Sequence, residues 1–254
     1  MCLLLLQFRT VATAPVLVAA NREEMFGRPA TVPSIQPGVP RVLCATDQQA
    51  GGTWLGVNQF GVVIGVTNRF KSNLPKEPRS RGLLCRDLLA CTSAAEATAL
   101  ALAELKTGRY AGANFACFDR RTAAVVHGGD EIEVVALEAG VHLLTNGDVN
   151  DPHDFRQRFA RQFLARSYPN TPRSFIDHTA KLLRQGPDEL GQPTIILRGP
   201  DRGTVSSTIL AVTQGNEPAR YLHSSGAPDL HSYEDYSELL QEVISGRPSR
   251  TANY

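Results

Sequence analysis

The feature that most constrains the fold of this chain is a set of short strands that are apolar on both faces. Residues 2–8 are apolar at nearly every position, and residues 15–20 form a second apolar run after a short turn. A strand with one solvated face alternates apolar and polar residues, so strands that are apolar throughout indicate sheets covered on both faces. The short turn between the two runs predicts a hairpin and therefore antiparallel pairing.

The rest of the chain continues this pattern of hairpins and adds helices. Strands are predicted at 53–58, 62–68, 113–119, 123–127, 132–136, 141–145, 206–213 and 220–224. Helices are predicted at 80–91, 94–106, 156–166, 173–184 and 233–244, with a long Pro-rich loop at 29–40 and a frayed tail at 247–254. Together they predict an α+β fold, a four-layer αββα sandwich of two antiparallel sheets with helices outside. No linker or repeat divides the chain, so we expect one domain over 1–254.

Composition excludes several classes of function. The formal net charge of +1 gives no bulk attraction to nucleic acid or to an anionic membrane. No stretch approaches the roughly 20 apolar residues of a membrane span, and residues 1–8 lack the basic region and cleavage site of a signal peptide. The five Cys and six His have neither disulfide nor metal-site spacing. We expect a cytoplasmic protein with a small-molecule ligand, no metal, no nucleic acid partner and no membrane span; the oligomeric state stays open.

Cys2 is the residue with the most distinctive chemistry. If Met1 is removed, Cys2 carries a thiol and a free α-amine, so one residue provides a nucleophile and a base. The amine titrates at about 7.7–8.0 and a free thiol at about 8.5, so both are poised near neutral pH. The alternative is that Cys2 is a small buried hydrophobe, as we expect for the other four cysteines.

Five segments spread along the chain together carry a family resemblance. They are Cys2, Asn21-Arg22-Glu23-Glu24, Gly51-Gly52-Thr53-Trp54-Leu55-Gly56, Leu144-Thr145-Asn146-Gly147 and Val205-Ser206-Ser207-Thr208. This combination resembles the NRDE family, also called the transport and Golgi organisation protein 2 family, although Glu23 stands where that family has Asp. The family in turn is similar to N-terminal-nucleophile hydrolases of the choloylglycine type, in which an N-terminal Cys attacks an amide carbonyl.

The resemblance implies a set of site residues. Glu23 would hold the α-amine of Cys2, and Asn21 would share its face of the strand. Asn68 and Asn146, each at the end of a predicted strand, would be oxyanion donors, although turn roles for both are the alternative. Arg22, Trp54 and Ser207 are candidate substrate-binding residues.

Simpler roles are open for two of these residues. Arg22 would form an outer ion pair with Glu24, since the two alternate with Asn21 and Glu23 along the strand. Trp54 would anchor the core near a hairpin. Ala20 and the segment 207–209 lack the Arg residues of the choloylglycine enzymes, which argues against cleavage of bile salts or penicillin.

Two functions remain open from the sequence. One is an N-terminal cysteine amidohydrolase that cleaves the C–N amide bond, or the thioester, of a small acyl substrate without a cofactor. The other is a non-catalytic protein that binds or carries haem or an acyl lipid on the same fold. Haem ligation uses a side chain such as Cys, and Cys2 would serve in that role.

Overall fold

The structure, a computed structural model, describes residues 2–187 and 195–246. In chain order the elements are β1 (Leu3–Val11), β2 (Ala14–Met25), β3 (Ser34–Gln36), β4 (Val42–Cys44), β5 (Leu55–Asn58), β6 (Val63–Asn68), α1 (Arg81–Leu88), α2 (Ala94–Lys106), β7 (Ala113–Phe118), β8 (Ala123–Gly128), β9 (Ile132–Ala136), β10 (Gly140–Leu144), α3 (Phe155–Ala165), α4 (Pro172–Leu183), β11 (Arg202–Val212), β12 (Arg220–Ser224), β13 (Glu234–Asp235) and α5 (Ser237–Ser245). They form two compact units, which are Met1–Arg28 with Ala139–Asp235, and Pro29–Glu138 with Tyr236–Tyr254.

The first unit is built on an antiparallel sheet in the order β10-β1-β2-β11-β12-β13. The predicted hairpin of β1 and β2 lies near its centre, with β10 on one side and β11 on the other. Leu3, Leu5 and Leu17 face α3 and α4 and form one apolar core with Phe175 and Leu182 of α4. Because β1 and β2 are buried along nearly their whole length, their apolar residues cover both faces, as the sequence predicted.

The second unit is built on an antiparallel sheet in the order β3-β4-β5-β6-β7-β8-β9. Helices α1 and α2 cover one face, where Leu84 and Leu88 of α1 and Ala97 of α2 pack against Ile64 of β6 and Phe115 of β7. Helix α5 contacts β3 and β4 of the same sheet. Successive strands are neighbours throughout this sheet, and α1 and α2 lie in the connection between β6 and β7.

The starts of the helices follow signals present in the sequence. Ser93 caps α2 by accepting a hydrogen bond from the backbone N–H of Glu96, whose carboxylate in turn accepts from the backbone N–H of Thr92. This is a capping arrangement that the sequence itself indicates, with Ser93 followed three residues later by Glu96, and α2 has the predicted bounds. Asp154 caps α3, and Thr171 forms a capping box with Ser174 at the start of α4.

Three predictions about elements need correction. Strand β2 continues to Met25 instead of ending at Ala20, because β11 pairs with it along that whole length. The predicted loop at 29–40 contains β3, which pairs with β4. The last helix begins at Ser237, not at residue 233, because Glu234 and Asp235 pair with β12 as β13. The predicted tail at 247–254 lies outside the described residues.

The prediction of an α+β fold with two antiparallel sheets is confirmed. Helices α3 and α4 pack in the first unit, and α1, α2 and α5 pack in the second. That the whole chain acts as one domain stays a prediction. Within 2–187 and 195–246, no helix combines the length and the apolar character that crossing a bilayer requires.

Candidate functional site

Cys2 stands immediately before β1, at the end of the first sheet where β2 carries its polar motif. Its side chain is half-buried, whereas the other four cysteines are buried. The Cys2 sulfur accepts a hydrogen bond from the backbone N–H of Glu23. This contact follows from the register, because Leu3 pairs with Asn21 and so brings the start of β1 beside Glu23.

The surroundings of Cys2 keep its thiol protonated. Burial raises its pKa above the usual range, and the negative charge of Glu23 raises it further. The positive charges of the chain terminus and of Arg22, and the hydrogen bond from Glu23, act in the opposite direction without cancelling the rise. A thiol with a raised pKa is neutral at pH 7, so it becomes a strong nucleophile only when a nearby base takes its proton.

Glu23 is a buried carboxyl group held by one arginine from α3. Arg156 Nη1 donates to Glu23 Oε2 at 3.1 Å, and Arg156 Nη2 donates to Glu23 Oε1. Nη2 also donates to the backbone carbonyl of Ile195 at 2.7 Å. Burial raises the pKa of Glu23 above its usual range, and the charge and hydrogen bonds of Arg156 limit that rise.

Asn21 lies on the helix-facing side of β2 together with Glu23. Its Nδ2 donates to the backbone carbonyl of Leu183 at the end of α4, at 3.1 Å. Its Oδ1 is buried and has no hydrogen-bond partner among the residues that the structure describes. A buried acceptor without a donor is uncommon in a purely structural role. The Oδ1 of Asn21 can therefore accept a hydrogen bond from a further group.

The prediction that Arg22 pairs with Glu24 on an outer face is wrong. Arg22 is only 6% exposed, and its Cα pairs across the sheet with Ser206 of β11. Glu24 instead forms an ion pair with Arg28 at 3.6 Å. The positive charge of the buried Arg22 guanidinium lowers the pKa of both Cys2 and His223.

Asn146 lies at the same end of the sheet as Cys2. Leu4 of β1 pairs with Leu144 of β10, so the chain before Leu4 and the chain after Leu144 run side by side. Asn146 is half-buried, and its Oδ1 is buried without a partner among the described residues. The amide therefore stands near Cys2 with no structural hydrogen bond that would explain its burial.

A hydrogen-bond network joins this end of β10 to the first turn of α3. Thr145 Oγ1 donates to Asp154 Oδ2 at 2.5 Å, and Asp154 Oδ1 accepts from the backbone N–H of Gln157 at 2.9 Å. Gln157 Nε2 donates back to Thr145 Oγ1 at 3.2 Å and to the Asp148 carbonyl at 2.9 Å. The turn of helix that carries Arg156 is thus fixed to the segment that carries Asn146.

Ser207 has hydrogen-bond partners inside the first unit. Its hydroxyl donates to the Ala20 carbonyl at 3.3 Å and shares a hydrogen bond of 2.7 Å with the Tyr233 hydroxyl. Burial raises the pKa of Tyr233 to about 12, so the phenol stays neutral. The predicted binding role of Ser207 stays a prediction.

Two predicted site residues belong to the second unit. Asn68 ends β6 with its side chain exposed, and its role as an oxyanion donor rests on the resemblance alone. Trp54 is half-buried, and its backbone carbonyl accepts from Val66 at 2.9 Å. Within the described ranges, no group of three His, Cys, Asp or Glu residues is suited to a metal ion.

The Gly-Gly-Thr part of the motif around Trp54 has a packing explanation. A Cβ on Gly52 would lie 2.1 Å from the backbone carbon of Gly82, so only glycine allows the start of α1 to approach so closely. Thr53 donates its backbone N–H to the Gly82 carbonyl at 3.0 Å and its hydroxyl to the Ala45 carbonyl at 2.7 Å. This part of the motif holds α1 against the sheet of the second unit.

Sequence reasoning did not identify Arg156 as a site residue. One signal was available, because Arg156 lies in the first turn of α3, where a positive charge opposes the helix dipole. A cation at that position suggests a specific anionic partner. Only the packing of α3 on the sheet shows that this partner is Glu23.

Comparison with known proteins places the chain in a family and a fold. Among curated proteins, it is 27% identical over 145 residues to the human Transport and Golgi organization protein 2 homolog, covering 54% of this chain and 52% of the relative. The bovine protein of the same name is 34% identical over 77 residues, covering 29% of this chain and 28% of the relative. The chain therefore aligns with about half the length of its human relative and less of the bovine one.

Solved structures share the fold at low sequence identity. The Caenorhabditis elegans ortholog of N-acylethanolamine-hydrolyzing acid amidase has a TM-score of 0.55 at 14% identity, over 83% of this chain and 92% of that one. A mutant of the conjugated bile acid hydrolase from Clostridium perfringens has a TM-score of 0.52 at 12% identity, over 100% of this chain and 97% of that one. The predicted similarity to N-terminal-nucleophile hydrolases is thus confirmed for the fold. Residues 1–221 match the family profile described as Transport and Golgi organisation 2, and the chain belongs to that family.

Proposed function

We propose that the protein is an N-terminal cysteine amidohydrolase in which Cys2, after loss of Met1, cleaves the amide or thioester bond of a small acyl substrate. The observation that carries the proposal is the setting of Cys2: a half-buried thiol hydrogen-bonded to the strand that holds a clamped, buried carboxyl group. The other four cysteines are buried, so Cys2 is the one whose thiol is partly exposed among the described residues.

The raised pKa of the thiol fits a mechanism with a built-in base. A neutral thiol must transfer its proton as it attacks, and the free α-amine of a mature Cys2 lies on the same residue. The sulfur attacks the acyl carbon, and the amine accepts the thiol proton and passes it to the leaving nitrogen. The C–N bond then breaks and leaves a thioester on Cys2, which water hydrolyses to the carboxylic acid while the thiol is restored.

In this mechanism Glu23 and Asn146 have separate roles. The Glu23 carboxylate holds the ammonium form of the Cys2 amine through charge-assisted hydrogen bonds. The Asn146 amide donates to the oxyanion that forms as the sulfur attacks, for which an amide NH₂ is a competent donor. The Asn146 Oδ1 has no hydrogen-bond partner among the described residues, so no contact of that oxygen fixes the amide in a structural role.

The names of the similar structures support the reaction class. Both are hydrolases by name, one of N-acylethanolamines and one of conjugated bile acids. We extend from them only the class of bond, because fold similarity does not transfer a substrate.

A non-catalytic role in binding an acyl lipid or haem is the second candidate. The raised pKa of Cys2 favours it, because a thiol that stays neutral is a weak nucleophile when no base is present. It favours acyl-lipid binding over haem binding, since a cysteine ligates haem iron as the thiolate.

Intact-mass measurement of untagged protein separates the two functions. We expect a mass that lacks Met1, and a transient acyl adduct on Cys2 when p-nitrophenyl acetate is added. The Cys2→Ala variant should show no adduct, while Cys91→Ala, which removes a buried thiol, should behave as wild type. Complete retention of Met1, or adducts that persist in Cys2→Ala, would rule out the mechanism. Haem titration with a Soret shift that Cys2→Ala abolishes would support the binding role.

A further inference from the structure

We propose that Arg156 is a positioning residue of the Cys2 site, which fixes the orientation and the ionised form of Glu23 through a two-point clamp. The inference rests on the proposed function, because Glu23 matters to catalysis only if it holds the Cys2 amine. The clamp itself is a feature of the described structure. Its effect on Cys2 is measurable whether or not a substrate is ever found.

The geometry of the clamp is specific to arginine. Two guanidinium nitrogens of Arg156 donate to the two carboxylate oxygens of Glu23, one to each. Such a fork fixes the plane of a carboxylate, which a single ammonium group would not do. Both side chains are removed from solvent, with 2% exposure for Glu23 and 11% for Arg156.

The position of Arg156 on α3 is unfavourable for the helix alone. The first turn of a helix favours acidic side chains, yet the first turn of α3 has none and carries Arg156. Asp154 and Gln157 fix this turn to Thr145 and to the Asp148 carbonyl. The guanidinium is also held by the Ile195 carbonyl, so its orientation does not depend on Glu23 alone.

The clamp leaves Glu23 able to act on Cys2. A carboxylate has about four acceptor sites, and the two bonds from Arg156 use one on each oxygen. A carboxylate that accepts these two bonds can also accept from the α-ammonium of a mature Cys2.

Charge gives the clamp a second effect. Burial favours the neutral acid form of Glu23, and Arg156 opposes this. The charge of Glu23 in turn raises the pKa of the Cys2 thiol. Loss of Arg156 should therefore act on Cys2 through Glu23, which then takes up a proton at neutral pH.

The test is the pH dependence of Cys2 alkylation by iodoacetamide, followed by peptide mass mapping. It uses wild type, Arg156→Gln, Arg156→Lys, Glu23→Gln and the double variant Arg156→Gln/Glu23→Gln. Arg158→Gln is the matched control, because Arg158 is an exposed residue of the same helix. Thermal unfolding of each variant reports stability separately.

We expect Arg156→Gln and Glu23→Gln each to lower the pH midpoint of Cys2 labelling by about one unit, as removal of a nearby charge does. The double variant should show no more than the shift of Glu23→Gln alone, because both act through one charge. Arg156→Lys should keep the wild-type midpoint, since it keeps the charge. It also provides a second variant at this position to measure if Arg156→Gln does not fold. Arg158→Gln should change nothing.

Two results would contradict the proposed positioning role of Arg156. One is an unchanged midpoint in Arg156→Gln with reduced thermal stability, which would make Arg156 merely structural. The other is a double variant whose shift is the sum of the two single shifts. Absence of an acyl adduct in wild type would count against the proposed function instead, and it would leave the labelling result standing.

Discussion

The two units of this protein differ in whether all their buried polar side-chain atoms have hydrogen-bond partners. Asn58 in the second unit makes four hydrogen bonds, donating to the carbonyls of Leu89 and Cys91 and accepting from the N–H groups of Phe60 and Val62. Across the described residues, the four buried side-chain atoms without a partner all lie in the first unit, on Asn21, Asn146, Gln157 and Ser206. Buried polar groups that stabilise a fold are paired. The buried polar groups of the second unit therefore stabilise its fold, whereas some in the first unit have hydrogen-bonding capacity that the described fold does not use.

The cysteines divide in the same way. The four buried thiols, Cys44, Cys85, Cys91 and Cys117, belong to the second unit, and burial is the first cause of the raised pKa of each. Burial is also the largest cause of the raised pKa of Cys2, and charges or hydrogen bonds act on buried thiols such as Cys44 as well. The contrast is one of exposure, because Cys2 is half-buried and a reactive thiol must be accessible.

The largest expected effect is a difference in thiol reactivity. With limiting iodoacetamide, Cys2 should be alkylated almost alone, because the pKa values of Cys91 and Cys117 are raised to about 11 and about 12 and both are buried. The rate at Cys2 should increase with pH through the alkaline range, since its own pKa is raised. Peptide mapping measures the extent of alkylation at each cysteine. Preferential labelling of any cysteine in the second unit would contradict the difference in reactivity between the two units.

Asn146→Ala should reduce turnover strongly and stability little. Removal of one preorganised oxyanion donor costs on the order of 10²–10³ in kcat. Its side chain makes no hydrogen bond within the described residues, so the free energy of unfolding should change by less than about 1 kcal/mol. The measurements are acyl-adduct turnover by mass spectrometry and urea denaturation. A large loss of stability with unchanged turnover would assign Asn146 to the turn instead.

Asn58→Ala should show the opposite pattern. The change leaves two buried carbonyls and two N–H groups unpaired, so the free energy of unfolding should fall by about 3 kcal/mol or more. The rate of Cys2 labelling in the folded protein should stay as in wild type. Denaturation and labelling of the same sample check both parts, and a changed labelling rate would argue that the second unit supports the site.

His223 should give the smallest effect, a dependence of stability on pH. Burial, with Arg22 contributing, lowers its pKa from 6.5 to about 4. Between these values the unfolded chain binds a proton that the folded chain does not. Stability is therefore full above 6.5 and falls as the pH drops towards about 4, by about 2 kcal/mol between pH 7.5 and pH 5.

Chemical denaturation at those two pH values measures this dependence. His223→Asn keeps an acceptor for the Thr208 hydroxyl, which lies 2.9 Å from His223 Nδ1, and should remove most of the dependence. His231→Asn changes an exposed histidine and should leave it intact. If the stability of His223→Asn depended on pH as much as that of the wild type, other groups would be its cause.

The sequence alone predicted what depends on local pattern. The apolar runs of β1 and β2, the cap at Ser93 and the hairpin of β5 and β6 all follow from residues close together in the chain. The end of β2 was misplaced because its outer half is held by β11, more than 170 residues away. Burial of Arg22 was also missed, because it depends on what packs on that face of the sheet and not on the residues next to it in the chain.

The candidate site shows the same limit. Cys2, Glu23 and Asn146 were proposed from motifs, and the register of β1 with β2 and β10 brings all three to one end of the first sheet. Arg156 was not found, because a helix predicted from periodicity does not reveal which strand residue its first turn will meet. Asn68 and Trp54 rest on resemblance, and their roles stay predictions.

The most direct test of the central claim compares protein whose first residue is Cys2 with protein that carries an N-terminal extension before Cys2. Both are mixed with p-nitrophenyl acetate, and p-nitrophenolate release and the acyl adduct are followed together. If the α-amine of Cys2 is the base held by Glu23, the mature form should turn over repeatedly and the extended form should not. Equal turnover by the two forms would contradict the account.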